Sequence, residues 1–203
     1  MLPFGVEAID RRLNGEGLRL DALHEMAGEG AGWGDDAAAV LFMASIAART
    51  QGPILWVVRS RDLFAPGLYQ AGLDPARVLY AEACDDAELL ALMEDGLRHR
   101  GLGAVIGEAK RVSMASTRRL QLTAEGGTTP ALLLKRPARE GDDPVPWEGL
   151  GPACWRLTCV RQRGGEAFEL TVEAPDETGR LALPALLVDR PAAADRATLR
   201  AVG

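Results

Sequence analysis

The hydrophobic positions of the 203-residue chain follow two patterns that alternate along its first two thirds. Continuous apolar runs, such as ILWVV at residues 54–58, have the length of strands buried on both faces of a parallel sheet. Between these runs apolar residues recur at helical spacing. The predicted helices are 5–13, 36–49, 87–100 and 113–127, with a short helix and loop at 63–74; the predicted strands are 22–27, 53–60, 77–83, 103–109 and 129–136.

The alternation of strand and helix over residues 22–136 predicts a parallel sheet, because parallel neighbours need a crossover connection, which is usually a helix. We therefore expect an α/β fold with a mostly parallel central sheet and helices on both faces, in a core domain over residues 1–136.

The carboxyl-terminal third has a different pattern. Residues 137–152, rich in Pro, Gly and acidic side chains, predict a loop. Two alternating segments around Gly164 and Gly165 predict a β-hairpin that packs on the core, within an extension over residues 153–190. RLALPALLV, at 180–188, is a candidate further strand, whereas residues 191–203 show no core-building pattern and predict a flexible tail.

Charge and composition limit the classes of function that the chain can have. A net charge of −6 argues against a broad nucleic-acid-binding surface, although a local basic patch remains compatible with it. The three cysteines form no C-x-x-C pair and the two histidines lie far apart, so we expect no metal site. The first residues do not form a secretion signal, and the longest apolar run, 37–48, is too short to cross a bilayer; both favour a cytoplasmic protein.

The stretch AGEGAGWGDDAAAVLF at residues 27–42 has the form of a phosphate-binding loop that runs into a helix. Such a loop holds phosphate with backbone N–H groups and one lysine, and holds magnesium with a Ser or Thr hydroxyl. Here no lysine follows the glycines, and two aspartates would repel a triphosphate. The residues of this degenerate loop are Gly28, Gly30, Gly32, Gly34, Asp35 and Asp36.

Two interpretations of the loop remain open at this stage. In the first, Asp35 or Asp36 caps a helix that begins at Ala37, so that a carboxylate takes the place of a bound anion. In the second, an aspartate retains a nucleotide through magnesium. The first accounts for every residue of the loop without a ligand, and we therefore expect no cofactor.

The segment FGVEAIDRRLNGEGLRLDALHEMAG resembles the approach to the phosphate loop in RecA-type recombinases, and LWVVRSRDLFAPGLYQAGLDPARVLYAEACDDAE resembles the segment that follows that loop. LPFGVEAID, ALHEMAG, DLFAPGLYQAGLDPARV, LRHRGLGAVIGEAKRVSM, TRRLQLTAE and GRLALPALLVDRP are similar to the ImuA family of RecA-like proteins. This resemblance implies a RecA-like three-layer core and an accessory role in damage-inducible, error-prone translesion synthesis. It implies ImuB, a Y-family-like protein, as the partner, with RecA and an error-prone C-family polymerase as further contacts.

The chain departs from RecA at the catalytic positions. The segment Val58–Asp62 aligns with the one that carries the water-activating glutamate in RecA, and it contains no glutamate. Glu108 falls near the strand-end acid that assists magnesium and is interpreted as a Walker B remnant. Because phosphoryl transfer depends on positioned charges, we predict no catalytic residues and no ATP hydrolysis.

A local basic stripe is the second candidate site. It lies near where RecA presents its DNA-facing loops, and three interpretations remain open: a DNA contact, a protein contact, or a solvated helix face. The acidic total charge makes a DNA contact weak or indirect. The residues are Lys110, Arg111, Arg118, Arg119 and Arg136.

Trp147 and Trp155 follow the core and form the third candidate. They either present a partner surface or pack the hairpin onto the sheet. The leading hypothesis for the whole chain is a non-catalytic scaffold protein. The alternatives are an atypical NTPase that uses Asp36 or Glu108 with magnesium, and a cell-division inhibitor similar to SulA.

Overall fold

A computed structural model of the protein describes residues 1–29, 33–136, 154–184 and 197–202, with only the backbone at Trp33 and in 197–202. The strands are β1 (Leu23–Gly28), β2 (Ile54–Val58), β3 (Val78–Glu82), β4 (Ala104–Ala109), β5 (Ala131–Lys135), β6 (Cys154–Arg161), β7 (Phe168–Glu173) and β8 (Ala197–Val202). The helices are α1 (Glu7–Asp10), α2 (Trp33–Ala48), α3 (Ala65–Gln70), α4 (Asp86–Arg98) and α5 (Met114–Ala124), with a short 3₁₀ turn at Pro75–Arg77.

The described strands form one sheet in the order β3-β2-β4-β5-β1-β8-β6-β7. The first five are mutually parallel. β8 runs antiparallel to β1 and parallel to β6, and β6 forms an antiparallel hairpin with β7. The predicted α/β architecture, with a mostly parallel central sheet and a carboxyl-terminal hairpin, is therefore confirmed.

Helices cover both faces of the parallel part of the sheet. On one side, which we call the α2 face, the α1, α2 and α3 helices pack on alternate strand residues such as Trp56, Ile106 and Leu134. On the other side, the α5 face, α4 and α5 pack on the intervening residues, among them Val57 and Val105. The two buried clusters explain why these strands are continuously apolar: each residue faces one core or the other.

The predicted flexible tail, 191–203, differs most from the structure. Residues 197–202 form β8, which lies inside the sheet between β1 and β6 and pairs with both. The segment ATLRAV is too short and too mixed to read as a strand alone, and its strand conformation comes from pairing on both sides. β8 also links the hairpin to the core sheet.

Two other predictions for the carboxyl-terminal third concern the strand at 180–188 and the loop at 137–152. Of the candidate strand at 180–188, only Ala182 makes an isolated bridge, to Glu173, and residues 185–188 lie outside the described part. The predicted loop at 137–152 lies wholly outside it. Across the described ranges, no helix is both long and apolar enough to traverse a bilayer.

Candidate functional site at the carboxyl edge of the sheet

The carboxyl ends of parallel strands are the expected ligand edge of an open α/β sheet, especially where a glycine turn leads into a helix. Here that edge lies between the ends of β4 and β5, the end of β1 and the first turn of α2. Glu108 follows Ile106 by two residues and Arg136 follows Leu134 by two. Since strand side chains alternate, all four lie on the α2 face.

The glycine loop is described only at its two ends. Gly28 ends β1, and a Cβ added there would lie 2.8 Å from the Cβ of Asp35, so glycine at this position lets the first turn of α2 pack against the strand. Around Gly34 there is open space. Gly30 and Gly32 lie outside the described residues.

The two aspartates lie within the first turn of the helix. α2 begins at Trp33, so Asp35 and Asp36 occupy its first turn, and the expected start at Ala37 is wrong. The helix extends because Gly34 and the aspartates tolerate helical geometry here, and carboxylates in a first turn interact favourably with the helix dipole. Asp35 is half-buried and Asp36 is buried. The helix end that binds phosphate in other proteins thus carries two acids of its own.

Glu108 is the centre of a buried polar cluster. It is 4% exposed, and its Oε1 accepts a 2.6 Å hydrogen bond from the indole Nε1 of Trp56. Its Oε2 accepts from Nε of Arg136 at 2.8 Å and lies 2.6 Å from Nη2 of the same guanidinium. Both carboxylate oxygens therefore already have donors from within the chain.

Arg136 is surrounded by acids. Its Nη1 donates to Oδ2 of Asp62 at 3.1 Å, in addition to the bonds with Glu108, and Asp36 adds a further negative charge nearby. Burial alone would lower the pKa of Arg136, but the charges of Glu108 and Asp62 raise it above its ordinary value. Burial raises the pKa of Glu108, and the guanidinium opposes that rise. The guanidinium is therefore a permanent cation at the strand ends.

The arrangement places a cation and acids at the strand ends and helix start, where nucleotide-binding proteins of this architecture hold phosphate and magnesium. The cation comes from the end of β5, not from the glycine loop, and its bonds go to carboxylates. A triphosphate entering here would meet Asp35 and Asp36 on the helix, and magnesium at Glu108 would lie beside the guanidinium cation of Arg136. Within the described ranges, no group of three or more His, Cys, Asp or Glu residues could hold a metal ion.

Glu108 was predicted at this site, whereas Arg136 was placed in the basic stripe and Trp56 was not singled out. Strand periodicity was the signal for Arg136: residues 132, 134 and 136 alternate with 131, 133 and 135, so Arg136 belongs to the α2 face. Trp56 was read only as part of an apolar run, because a tryptophan inside a buried strand does not reveal the partner of its N–H.

The structure divides the basic stripe. Arg136 lies on the face opposite α5, and Arg119 donates at 2.8 Å to Glu94, a buried acid of α4. Lys110, Arg111 and Arg118 are exposed. The five cations therefore do not form one surface.

The interpretation of Trp155 as a partner surface is wrong. Its side chain is 1% exposed and packs in the core of the α2 face with Leu157 and Val172. Alternation along β6 places Trp155, Leu157 and Cys159 inward, which is the hairpin-packing alternative left open above. Trp147 lies outside the described residues.

No family model matches the chain. Two curated relatives, each named Protein ImuA and coming from Caulobacter vibrioides strains NA1000 / CB15N and ATCC 19089 / CIP 103742 / CB 15, are each 34% identical to it over 230 residues. The match covers 99% of this chain and 94% of each relative.

Among solved structures, the RadB recombinase superposes with a TM-score of 0.58 at 13% identity, covering 91% of this chain and 100% of that one. This similarity supports the predicted RecA-like core. SulA from Pseudomonas aeruginosa gives a TM-score of 0.46 at 23% identity over 56% of this chain and 96% of its own. With 34% identity to two ImuA proteins over 99% of its length and a RecA-like fold, the chain belongs to the ImuA family.

Proposed function

We propose that this protein is a non-catalytic RecA-like accessory of the DNA-damage mutasome, which acts in error-prone translesion synthesis through contacts with other proteins. ImuB is the principal partner, RecA and the error-prone C-family polymerase are further contacts, and DNA is touched weakly or indirectly. The protein works in the cytoplasm and joins the nucleoid during DNA damage. Membership of the ImuA family and the RecA-like fold support the proposed role in the DNA-damage mutasome.

The observation that carries the non-catalytic part is the bonding of Glu108. A strand-end acid serves magnesium through a free lone pair, and three donor atoms, one from Trp56 and two from Arg136, already use about three of the four acceptor sites of Glu108. The remaining site lies beside a guanidinium cation, which repels a metal ion. Pulling the guanidinium away would leave a buried carboxylate without that counter-charge, which typically costs about 3–5 kcal/mol. The intact ion pair therefore disfavours magnesium and its nucleotide at Glu108.

The charges on α2 support the same conclusion. Two acids in the first turn occupy the place where a phosphate-binding helix offers N–H groups alone, and two unit charges 4 Å apart repel by about 1 kcal/mol even in water. The atypical NTPase would need Asp36 or Glu108 to hold magnesium beside the guanidinium of Arg136, while the acids of α2 repel the phosphates. The scaffold function needs no rearrangement.

The proposal is tested by binding to purified ImuB from the same genome, measured by calorimetry with and without millimolar Mg-ATP, together with phosphate release. We expect a dissociation constant that does not change with nucleotide and no phosphate release above background, with Glu108→Gln as a variant that leaves both results unchanged. A turnover above roughly 1 per second, the low end for ordinary enzymes, would contradict the non-catalytic assignment. Binding to the division GTPase instead of ImuB would favour the SulA-like alternative.

A further inference from the structure

The outer side of α5 exposes large apolar side chains that the fold does not use. Met114 is 86% exposed and Leu122 is 55% exposed, and the exposed Arg118 lies between them. The three residues are spaced four apart, so they follow one line along the surface of the helix, which runs from Met114 to Ala124.

The inner side of the same helix explains how α5 is held in place. Leu120 and Ala124 are buried on the sheet, and the side-chain Oε1 of Gln121 accepts a hydrogen bond from the backbone N–H of Leu23. Arg119 reaches sideways to Glu94 on α4. Folding therefore accounts for the inner side and one flank, and leaves Met114, Arg118 and Leu122 without a structural role.

Three exposed cations lie on or beside this line; the acids nearby are Asp86, which accepts the backbone N–H groups of Lys110 and Arg111, and Glu125 at the end of the helix. Lys110 and Arg111 are exposed in the turn that leads into α5, and Arg118 lies on the helix itself. Within the described ranges no acidic side chain forms an ion pair with any of the three. The whole chain carries a net charge of −6, so this cationic surface contrasts with the rest of the molecule. Its electrostatic complement is an acidic partner.

We propose that this surface, the α5 docking face (Lys110, Arg111, Met114, Arg118 and Leu122), binds an acidic amphipathic segment of the partner protein. Two apolar side chains of that segment pack on Met114 and Leu122, and a carboxylate pairs with Arg118. The inference rests on the proposed function and names the surface through which it acts.

The apolar anchors distinguish a protein partner from nucleic acid. Phosphate backbones are held by cations and hydrogen-bond donors, and an exposed methionine and leucine add nothing to those contacts. Protein interfaces are enriched in Met and Arg, and apolar or arginine anchors carry much of their binding energy. The order apolar, cationic, apolar along α5 fits the second case.

The test measures ImuB binding to the full chain and to Met114→Glu, Leu122→Glu and Arg118→Glu, with melting curves to verify folding. Tyr69→Glu is the matched control, because Tyr69 is 66% exposed on α3, on the opposite face of the sheet. We expect each apolar variant to raise the dissociation constant at least about tenfold, as loss of an interface anchor does, and Tyr69→Glu to leave it unchanged. The effect of Arg118→Glu should shrink as salt rises, because exposed charges are screened.

The other possible results of these binding measurements separate a failure of the docking face from a failure of the proposed function. If ImuB binds but Met114→Glu and Leu122→Glu stay within twofold of the unmodified chain, the α5 docking face is wrong and the proposed function stands. If Arg118→Glu abolishes binding of a labelled oligo-dT strand while the apolar variants bind both ligands normally, the surface is a nucleic-acid site. If the unmodified chain does not bind ImuB at all, the proposed function fails, and this inference fails with it.

Discussion

The guanidinium of Arg136 lies 2.6 Å from Oε2 of Glu108 and joins the end of β5 to the end of β4 at the carboxyl edge of the sheet. Glu108 is buried and also accepts from Trp56, so removal of the guanidinium leaves an acid with one donor and no counter-charge. Arg136→Met should lower the free energy of unfolding by about 3–5 kcal/mol, measured by urea denaturation.

The double variant Glu108→Gln/Arg136→Met separates an ion pair from ordinary packing. With the buried charge neutralised, the double variant should recover at least about 1 kcal/mol relative to Arg136→Met, a coupling typical of contacting residues. Additive losses in the two single variants and the double variant would show that the pair does not act as a unit.

A second contact explains why two turns far apart in sequence contain glycine. Gly72, with a φ of 84°, lies so close to Gly179 that a Cβ on it would come within 2.2 Å of the Gly179 nitrogen. Gly72→Ala should therefore cost more than Gly126→Ala, which has a similar φ of 73° but open space around it. The control should lose about 1–2 kcal/mol from the positive φ alone. Gly72→Ala should lose about 1–3 kcal/mol more, because the backbone must shift. Equal losses in thermal unfolding would mean that the contact is loose.

β8 gives a third prediction, since it is the only described strand that pairs with both β1 and β6. Ala201 pairs with Met26 on one side and Cys159 on the other, and proline cannot donate within a central strand. Ala201→Pro should lower the free energy of unfolding by about 3 kcal/mol and promote aggregation through the newly exposed strand edges. A change within about 0.5 kcal/mol, the usual range for exposed sites, would mean that residues 197–202 contribute little to the sheet.

Asp86 should make stability depend on acid pH. Its Oδ2 accepts the backbone N–H of Arg111 at 2.8 Å and its Oδ1 accepts from Arg59 at 3.0 Å. Burial opposes ionisation, but the Arg111 amide and the Arg59 guanidinium prevail and lower the pKa of Asp86 below 3.8. A folded pKa below the unfolded one stabilises the protein fully above the unfolded value, about 3.9, and that stabilisation is lost as pH falls through the folded pKa.

Asp86→Asn tests this assignment. The unmodified protein should exceed the variant by about 1–3 kcal/mol near pH 7, from urea denaturation, because the variant loses charge-assisted hydrogen bonds. The difference should shrink below pH 4. A difference that stays constant down to pH 3 would show that the ionised carboxylate of Asp86 does not account for the stabilisation.

The parallel core was predictable because its strands are buried on both faces, so that a run such as residues 54–58 carries the signal in every residue. The carboxyl-terminal part was less predictable, since the pairing of β8 depends on two partners more than 30 residues away along the chain. At the candidate site, the sequence alone showed that the glycine loop lacks a lysine and is followed by two aspartates. Strand alternation could place Arg136 on the α2 face, away from the basic stripe. Its pairing with Glu108 could be seen only in the folded structure.

If the Glu108–Arg136 ion pair and the acids of α2 keep nucleotide from this edge of the sheet, Mg-ATP should not bind the protein. The most direct test is a titration of the purified protein with Mg-ATP that follows melting temperature and tryptophan fluorescence, which includes the signal of the buried Trp56 next to Glu108. We predict that neither signal changes up to millimolar nucleotide. A rise in melting temperature with nucleotide concentration, as mass action requires for a ligand that binds only the folded state, would contradict the claim and identify a nucleotide-responsive protein.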